Sequence, residues 1–376
     1  MLRVKSVVSR PALARGLQTF EALDSQVNVL RNGKTVVSQG TGGRSSRSGY
    51  TVTVFGAAGN VGTMLVSKLA RHGTLTVVPY REEMFKRHLK PAGDLGVVNF
   101  QEFDLRNIQS IADSVKSSDV VVNLVGRSWE TKNFSFYDVH VEGARRIAQA
   151  AKDAGVPRFV HVSSHSADIN SHSKFLATKA EGEEVVRSII PDATIVRPGP
   201  VYGGTDRLLQ PMATRKFFLT ANNGQEVIYP THLLDLATAL EKIVYDDATA
   251  GQLFELYGNE SFTMREIHDQ VKDGVKKDLH FVNLPKKVLK LIAEFFQVAA
   301  YWQGPLTPDE VERMFVNQVI SKDAKTYADL GITPQKLADH LLFMVRWHRP
   351  NTYLHDSVES DRRRKKTSED FANIVD

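Results

Sequence analysis

The chain contains no cysteine among its 376 residues. Without thiols it cannot form disulfides, ligate zinc or iron–sulfur clusters through thiolates, or use a cysteine nucleophile. Long apolar runs are also missing, since the one long uncharged stretch, 48–67, contains four glycines, an asparagine and several threonines. We therefore expect no membrane-spanning helix and no metal site.

An excess of one charge is nearly absent as well. The net charge is +5, from 48 basic and 43 acidic residues, and much of the excess falls in the two terminal segments. A nucleic-acid partner is therefore not expected, because such partners require basic residues gathered on one face. The 42% hydrophobic and 24% charged content is typical of a globular protein with one large or two ordinary domains.

The first twenty residues differ in composition from the rest. Segment 1–20 has four basic residues, two serines and no acid before Glu21, and Pro11 interrupts its apolar residues. This composition favours a mitochondrial presequence over a secretory signal, which needs an unbroken apolar core. The alternative is a disordered basic tail. Segment 21–49 follows as an N-terminal arm that we expect to lie over the next domain.

A glycine-rich turn stands between a predicted strand and a predicted helix. Segment 50–55 is β-branched and aromatic, Gly56, Gly59 and Gly62 follow, and 63–69 has helical apolar spacing. A strand, glycine turn and helix in this order form a dinucleotide site, because the missing Cβ atoms let a pyrophosphate approach the helix start. An ordinary glycine turn is the alternative interpretation. The predicted contacts are Gly56, Ala57, Gly59, Asn60, Val61 and Gly62.

Strands and helices alternate after this turn. We predict helices at 108–115, 139–154 and 233–244, and strands at 75–78, 97–103, 119–125, 158–163, 193–196 and 253–256. The alternation predicts an α/β fold with a doubly wound parallel Rossmann sheet and a smaller, mainly helical C-terminal domain. The predicted bounds are 50–258 for the Rossmann domain, with 205–225 contributing to the smaller domain, 259–350 for that domain, and 351–376 for a charged tail.

Arg81 follows the second predicted strand of the sheet. In a Rossmann unit this position faces the adenosine ribose, where an arginine attracts a 2′-phosphate and an acid binds the 2′-hydroxyl. Arg81 therefore favours NADP(H) over NAD, with a surface ion pair to Glu82 or Glu83 as the alternative.

Two further positions are predicted to lie near the cofactor. Asp104 either binds the adenine amino group or caps helix 108–115. Asn123 and Gly126, at the end of strand 119–125, should lie beside the pyrophosphate.

Segment 50–256 resembles the short-chain dehydrogenase/reductase superfamily. The resemblance rests on the shifted glycine spacing and on NLVG at 123–126, VSS at 162–164 and RPGPVYG at 197–203. It implies cofactor contacts by Ser163, Lys179 and Pro198, with Lys179 on the nicotinamide ribose. It also implies a tyrosine four residues before that lysine.

Phe175 stands where the tyrosine is expected. A phenyl ring has no proton to donate, so the general acid is missing. His165, His172, Ser163 and Ser164 are near in sequence, but nothing in their spacing indicates a substitute acid. The sequence predicts binding without catalysis, and no catalytic residue is assigned.

Further motifs resemble the Rossmann-type, nucleotide-binding accessory subunits of mitochondrial respiratory complex I. They are GTGGRSSRSG at 40–49, VPYR at 78–81 and FDLRN at 103–107, together with the basic N-terminus. The resemblance implies tightly held NADP(H), other complex I subunits as partners, and a structural or assembly role on the matrix side of the inner membrane. The alternatives are a soluble mitochondrial NADP-dependent reductase or epimerase, and a redox-sensing binding module.

Two C-terminal segments contain basic residues, and the first of them also has a regular apolar spacing. Segment 286–302 has apolar residues at steps of three and four, two lysines before them, and Tyr301 and Trp302 at its end. We expect this helix to pack within the smaller domain, with contact to a membrane surface as the alternative. Segment 362–366, RRRKK, is a solvated tail or a contact for a partner or phospholipid headgroups.

Overall fold

The computed structural model describes residues 26–31, 33–40, 42–43, 45–299, 306–321 and 323–354. The predicted presequence, 1–20, and the basic run at 362–366 lie outside the described residues.

The strands of these residues are short, and seven of them form one sheet. The strands are β1 Gln26–Val29, β2 Thr35–Ser38, β3 Thr51–Phe55, β4 Leu75–Tyr80, β5 Val98–Glu102, β6 Val120–Asn123, β7 Arg158–Val162, β8 Thr194–Pro198, β9 Val201–Tyr202, β10 Phe217–Thr220, β11 Val227–Ile228, β12 Thr231–His232, β13 Leu253–Leu256, β14 Phe262–Thr263 and β15 His280–Asn283. The large sheet has the order β13-β8-β7-β6-β3-β4-β5, and all its pairs are parallel. The predicted doubly wound parallel sheet is confirmed, including the return of 253–256 to its edge.

Helices cover both faces of this sheet and form most of the C-terminal region. They are α1 Asn60–Arg71, α2 Glu83–Lys86, α3 Ile108–Val115, α4 Gly143–Asp153, α5 Lys174–Ile189, α6 Leu209–Thr214, α7 Leu233–Tyr245, α8 Met264–Val275, α9 Lys286–Ala299, α10 Pro308–Arg313, α11 Leu337–Val345 and α12 Asn351–Leu354. Within the described ranges, no helix has both the length and the apolarity to span a bilayer.

The sheet buries residues on both faces, as strands between two helical layers must. On one face, Val54 packs in a core with Leu65 of α1 and Leu240 of α7. On the other face, Phe55 packs with Ile147 of α4. The change of face between Val54 and Phe55 follows from the two-residue period of a strand.

Strand β4 extends beyond its predicted end at residue 78, through Pro79 to Tyr80. The Leu75 N–H donates to the carbonyl of Tyr50, which directly precedes β3. The backbone N–H groups of every second residue of β4, counted from Leu75, therefore point toward β3. Pro79 belongs to this set, but pairing with β3 ends at Val77. A proline is tolerated there because no strand requires its missing N–H.

The predicted helix 139–154 begins with a wide turn. Residues Asp138–Glu142 form one π-helical turn, and the α-helix starts at Gly143. Gly182 of α5 packs against this turn, since a Cβ on Gly182 would lie 2.5 Å from the His140 carbonyl oxygen. The π turn buries His140 between the two helices.

The N-terminal arm contains a regular hairpin that the sequence interpretation missed. Strands β1 and β2 pair in antiparallel fashion. Lys34, at the start of the second strand, bonds both oxygens of the Asp119 carboxylate at 2.8 and 2.9 Å. Asp119 also accepts from the Thr51 N–H at 2.9 Å, so the arm is fastened to the start of β3.

The smaller helical region is built around α8. Ile267 and Val271 of α8 form a core with Leu209 of α6 and Leu341 of α11. Segment 205–225 therefore packs with residues that follow 259. The domain bounds stay a prediction.

Helix α9 has two different apolar faces. Leu289 and Ala293 are buried against α10 and its surroundings. Val288, Leu291 and Phe295 lie on another face, and Leu291 and Phe295 are each 68% exposed. Packing within the smaller domain therefore accounts for only one of the two faces.

Arg197 connects α5 to the edge of the sheet. Its guanidinium donates three hydrogen bonds of 2.7–3.2 Å to Glu183 and lies 3.6 Å from Glu255. Both carboxylates are buried. The pKa of Arg197 is raised, chiefly by the bonds to Glu183.

We expect Arg197→Met to lower the free energy of unfolding by about 3 kcal/mol, because it leaves two buried carboxylates without their cation. Arg187→Met is the matched control, since Arg187 is an exposed residue of α5, and it should change stability by less than about 0.5 kcal/mol. Urea denaturation at neutral pH measures both. Equal losses would show that the buried ion pair contributes nothing specific.

Candidate functional site

The glycine turn between β3 and α1 is shaped by close backbone contacts. Gly56 has φ of +79°, and a Cβ there would lie 2.9 Å from the Leu124 carbonyl. A Cβ on Gly62 would lie 2.5 Å from Ala57 Cα. These two glycines are required by the protein's own packing, as the sequence suggested for a tight turn.

Gly59 differs from its two neighbours in this respect. It has an ordinary φ of −74° and is the N-cap of α1. A Cβ there would meet only the Gly56 carbonyl oxygen, at 3.3 Å. The first turn of α1 has no side-chain cap and no acidic residue. The space beside Gly59 therefore adjoins an uncompensated helix N-terminus, which attracts anions.

Asn60 and Val61 complete the first turn of α1. The Asn60 side-chain amide donates to the Gly203 carbonyl at 2.8 Å, and Val61 packs against the main core. Asn60 thus ties the glycine turn to the segment after β9. The side-chain amide of Asn60, a predicted cofactor contact, therefore already donates a hydrogen bond within the protein.

Asn123 and Gly126 lie at the carboxyl end of β6 and just beyond it. The Asn123 oxygen accepts from the Val125 N–H at 3.0 Å, and its amide nitrogen lies 3.2 Å from His161 Nδ1. A Cβ on Gly126 would lie 3.0 Å from the Lys179 ammonium. Asn123 therefore shapes the loop, and Gly126 leaves room for the lysine.

Lys179 is 6% exposed. Its ammonium donates to the Val162 carbonyl at 3.3 Å. Burial lowers the pKa of Lys179 to about 8, and Glu183 acts in the opposite direction. An ammonium has three donors, so this group keeps hydrogen-bonding capacity in a buried position.

Two polar atoms beside Lys179 lack partners among the described residues. They are Ser163 Oγ and His161 Nε2, both buried. Burial, and then Lys179, lower the pKa of His161 to about 3, so the imidazole is neutral at neutral pH. Buried polar groups normally have partners, and these atoms therefore mark a place where a polar ligand fits.

Phe175 lies on α5 one turn before Lys179, as predicted. Its ring packs edge-on against Phe136 and His140, with centroid distances of 5.9 and 5.3 Å. The guanidinium carbon of Arg313 lies 4.7 Å from the centroid of the same ring. The position of the expected proton donor is thus occupied by a packed aromatic ring.

Three histidines lie near Phe175, in different surroundings. Burial, followed by Arg313, lowers the pKa of His165 to about 4, so this imidazole is neutral, and not an imidazolium acid, at neutral pH. His140 is buried between Arg127 and Thr178, and burial, followed by Lys179, holds its pKa well below the usual value. His172 is exposed at the start of α5.

Arg81 follows β4 at the surface. Its side chain is 49% exposed and pairs with Glu82 at 3.1 Å. Burial, and then the charge of Arg81, lower the pKa of Arg127. The guanidiniums of Arg81 and Arg127 are therefore near enough to interact. Arg81 also forms the surface ion pair with Glu82, which was the alternative interpretation of this residue.

Asp104 does not cap α3, and this part of the sequence interpretation is wrong. The N-cap is Asn107, whose side chain accepts from Gln109 N and Ser110 N. Asp104 accepts instead from Arg106 N at 2.7 Å, within the turn before the helix. The side chain is exposed beyond β5.

A cavity of about 880 Å³ opens beside Phe175. Pro198 lies on its wall, and the sequence interpretation missed the other residues important for its chemistry, Trp129, Arg207, Glu226 and Arg313. They come from four separate segments with no motif in common. Only the fold brings them together.

Comparisons with known proteins agree with this architecture. Residues 48–336 match the NmrA-like family. The chain is 50% identical over 341 residues to the mitochondrial "NADH-ubiquinone oxidoreductase 40 kDa subunit" of Neurospora crassa, covering 90% of each chain. The chain belongs to the family of this subunit.

A mouse member of the family is the mitochondrial "NADH dehydrogenase (ubiquinone) 1 alpha subcomplex subunit 9", 36% identical over 94% of each chain. Among solved structures, an NADPH-dependent quinone oxidoreductase from Escherichia coli complexed with NADPH superimposes with a TM-score of 0.60 at 16% identity. It covers 77% of this chain and 98% of its own. The 40 kDa subunit family therefore has a Rossmann-like fold.

We expect Lys179→Met to raise the free energy of unfolding of the nucleotide-free protein at pH 7 by about 3 kcal/mol, because it removes a buried ammonium. Between pH 8 and 10.5 the unfolded wild type binds more protons than the folded form, so its stability rises through this window and the difference between the two proteins shrinks.

Lys174→Met is the control, since Lys174 is exposed on the same helix. Denaturation curves at several pH values measure all three proteins. Parallel pH profiles for wild type and Lys179→Met would contradict the burial argument.

Proposed function

We propose that this chain is a non-catalytic accessory subunit of mitochondrial respiratory complex I that holds NADP(H) as a structural cofactor. Its main support is the packing of Phe175 one turn before a buried Lys179. The lysine that would hold a nicotinamide ribose is kept, while the proton donor is replaced by a ring without a hydroxyl. The names of relatives as subunits of the oxidoreductase supply the partner class.

The residues around the glycine turn suit a dinucleotide. The pyrophosphate would lie against Gly56, Ala57, Gly59 and the start of α1, where backbone N–H groups and the helix dipole favour negative charge. Gly62 would keep α1 close to the turn.

The carboxyl ends of the central strands would receive the nicotinamide half. Lys179 and Ser163 would bond ribose hydroxyls, which gives partners to a buried ammonium and a buried hydroxyl. Gly126 and Pro198 would bound the space, and Asn123 would hold its loop. A bound nicotinamide could exchange a hydride, but Phe175, at the position of the expected donor, has no proton to supply.

The choice of NADP(H) is supported by the two guanidiniums at the end of β4. Arg81 and Arg127 repel each other, and a 2′-phosphate between them would relieve that repulsion. Asp104 lies at the same end of the sheet, where the adenine would bind.

We expect Arg81→Ala to weaken NADPH binding by about 10- to 100-fold and NADH binding by less than about threefold, since only NADPH carries the 2′-phosphate. Calorimetry with both nucleotides measures this. Arg87→Ala, an exposed arginine nearby, is the control. Equal losses for the two nucleotides would show that Arg81 contacts no phosphate.

Contacts of the subunit with its surroundings are proposed on α9. Val288, Leu291 and Phe295 are exposed, and lysines flank them at the start of the helix. This face, with the charged tail, would lie against neighbouring subunits or the matrix surface of the inner membrane. The protein would then be peripheral, attached at the matrix side.

The subunit proposal predicts where the protein migrates and what it does not catalyse. After mild detergent solubilisation of mitochondria, the protein should migrate with the NADH-oxidising complex. The purified protein and its Phe175→Tyr variant should oxidise no NADPH with carbonyl substrates. A free protein with NADPH turnover would instead support the alternative, a soluble reductase or epimerase.

A further inference from the structure

The cavity beside Phe175 has two ends of different chemistry. Arginines line one part of it, and Met212, Phe218 and Ile228 line it with apolar groups. Glu226 also lines it and is 4% exposed. Cavities of this size hold small organic molecules.

At the basic end, two arginines surround the loop after β6. Arg207 stacks on the Trp129 ring, with its guanidinium carbon 4.3 Å from the centroid. Arg313 donates to the Ser128 carbonyl at 3.1 Å and pairs with Asp309. Burial is the main cause of the lowered pKa of Arg207, Glu310 opposes it, and Arg313 and Arg127 add to it. Cations gathered in this way favour an anion among them.

The Trp129 indole adds a donor at the same end. Its Nε1 is buried and has no hydrogen-bond partner within the described part of the chain. An anionic oxygen at the arginines would accept from this N–H as well. The basic end thus offers both charge and an unused neutral donor.

At the other end, Glu226 lies among apolar side chains. Its Oε2 is buried and lacks a hydrogen-bond partner among the described residues. Burial raises the pKa of Glu226 to about 7, and no charged neighbour contributes to this shift. Glu226 forms no ion pair within the described part of the chain, and a hydroxyl could bond it in either protonation state.

We propose that this cavity binds an apolar chain that carries an anionic group at one end and a hydroxyl at the other. The anion lies between Arg207 and Arg313, the chain lies against the methionine and phenylalanine side chains, and the hydroxyl bonds Glu226. This site is separate from the dinucleotide contacts at the glycine turn. The cavity shares Pro198 with the space proposed for the nicotinamide half, so the apolar chain would lie beside a bound nucleotide.

The test uses the full chain loaded with NADPH and calorimetry with three probes, ω-hydroxydodecanoate, dodecanoate and dodecane diol. The wild type should bind the hydroxy acid about fivefold more tightly than dodecanoate and about tenfold more tightly than the diol. Arg207→Gln should weaken the hydroxy acid about tenfold and leave the diol unchanged. Arg187→Gln, on an exposed face of α5, should change neither.

Glu226→Leu tests the far end, and it keeps the fold because leucine suits the apolar surroundings. It should bind the hydroxy acid and dodecanoate equally. Absence of binding to the wild type would overturn the proposal, as would equal effects of Arg207→Gln and Arg187→Gln, or discrimination that survives in Glu226→Leu. Bound NADPH is measured in every sample, so loss of the nucleotide is recognised separately.

Discussion

A parallel sheet buried on both faces is open to a ligand at the ends of its strands, and this constraint determines the place of the candidate site. β3, β6, β7 and β8 are neighbours in the sheet. Their carboxyl ends lead to the glycine turn, the Asn123 loop, Ser163 and Pro198. Most polar groups of the candidate site therefore lie at the carboxyl end of the sheet, and α5 adds Lys179 to them.

The buried charges near this end of the sheet differ in how completely other groups pair with them. Arg197 pairs with the carboxylates of Glu183 and Glu255, and it donates three hydrogen bonds to Glu183. Lys179, close by on α5, has a single long bond to a carbonyl. The Arg197 charge is therefore paired within the protein, whereas the Lys179 ammonium keeps unused hydrogen-bond donors in a buried position.

Much of the architecture could be predicted from sequence, because predicted strands such as 119–125 contain several consecutive valines and helices such as 233–244 have a clear apolar period. The helix cap at Asn107 was missed because two acceptors, Asp104 and Asn107, lie three residues apart, and only backbone geometry chooses between them. The π turn at Asp138–Glu142 was missed because its apolar spacing resembles an ordinary helix. The hairpin of the arm was missed because it is short and half exposed.

The candidate site divides in the same way. The glycines, Phe175 and Lys179 could be identified from sequence because their spacing along the chain matches a known local motif. Trp129, Arg207, Glu226 and Arg313 could not be found, since each comes from a different segment and none belongs to a local pattern. Non-local sites of this kind depend on how α6, β11 and α10 pack, and sequence spacing contains little information about that packing.

The hydrogen bond from Asn60 to the Gly203 carbonyl has a mechanical consequence. Asn60 opens α1, and Gly203 precedes α6 of the helical region. A motion that carried Gly203 away from α1 would break this bond and disturb the helix start where a pyrophosphate would lie. By reciprocity, a ligand that stabilised the start of α1 would also restrain the segment at Gly203.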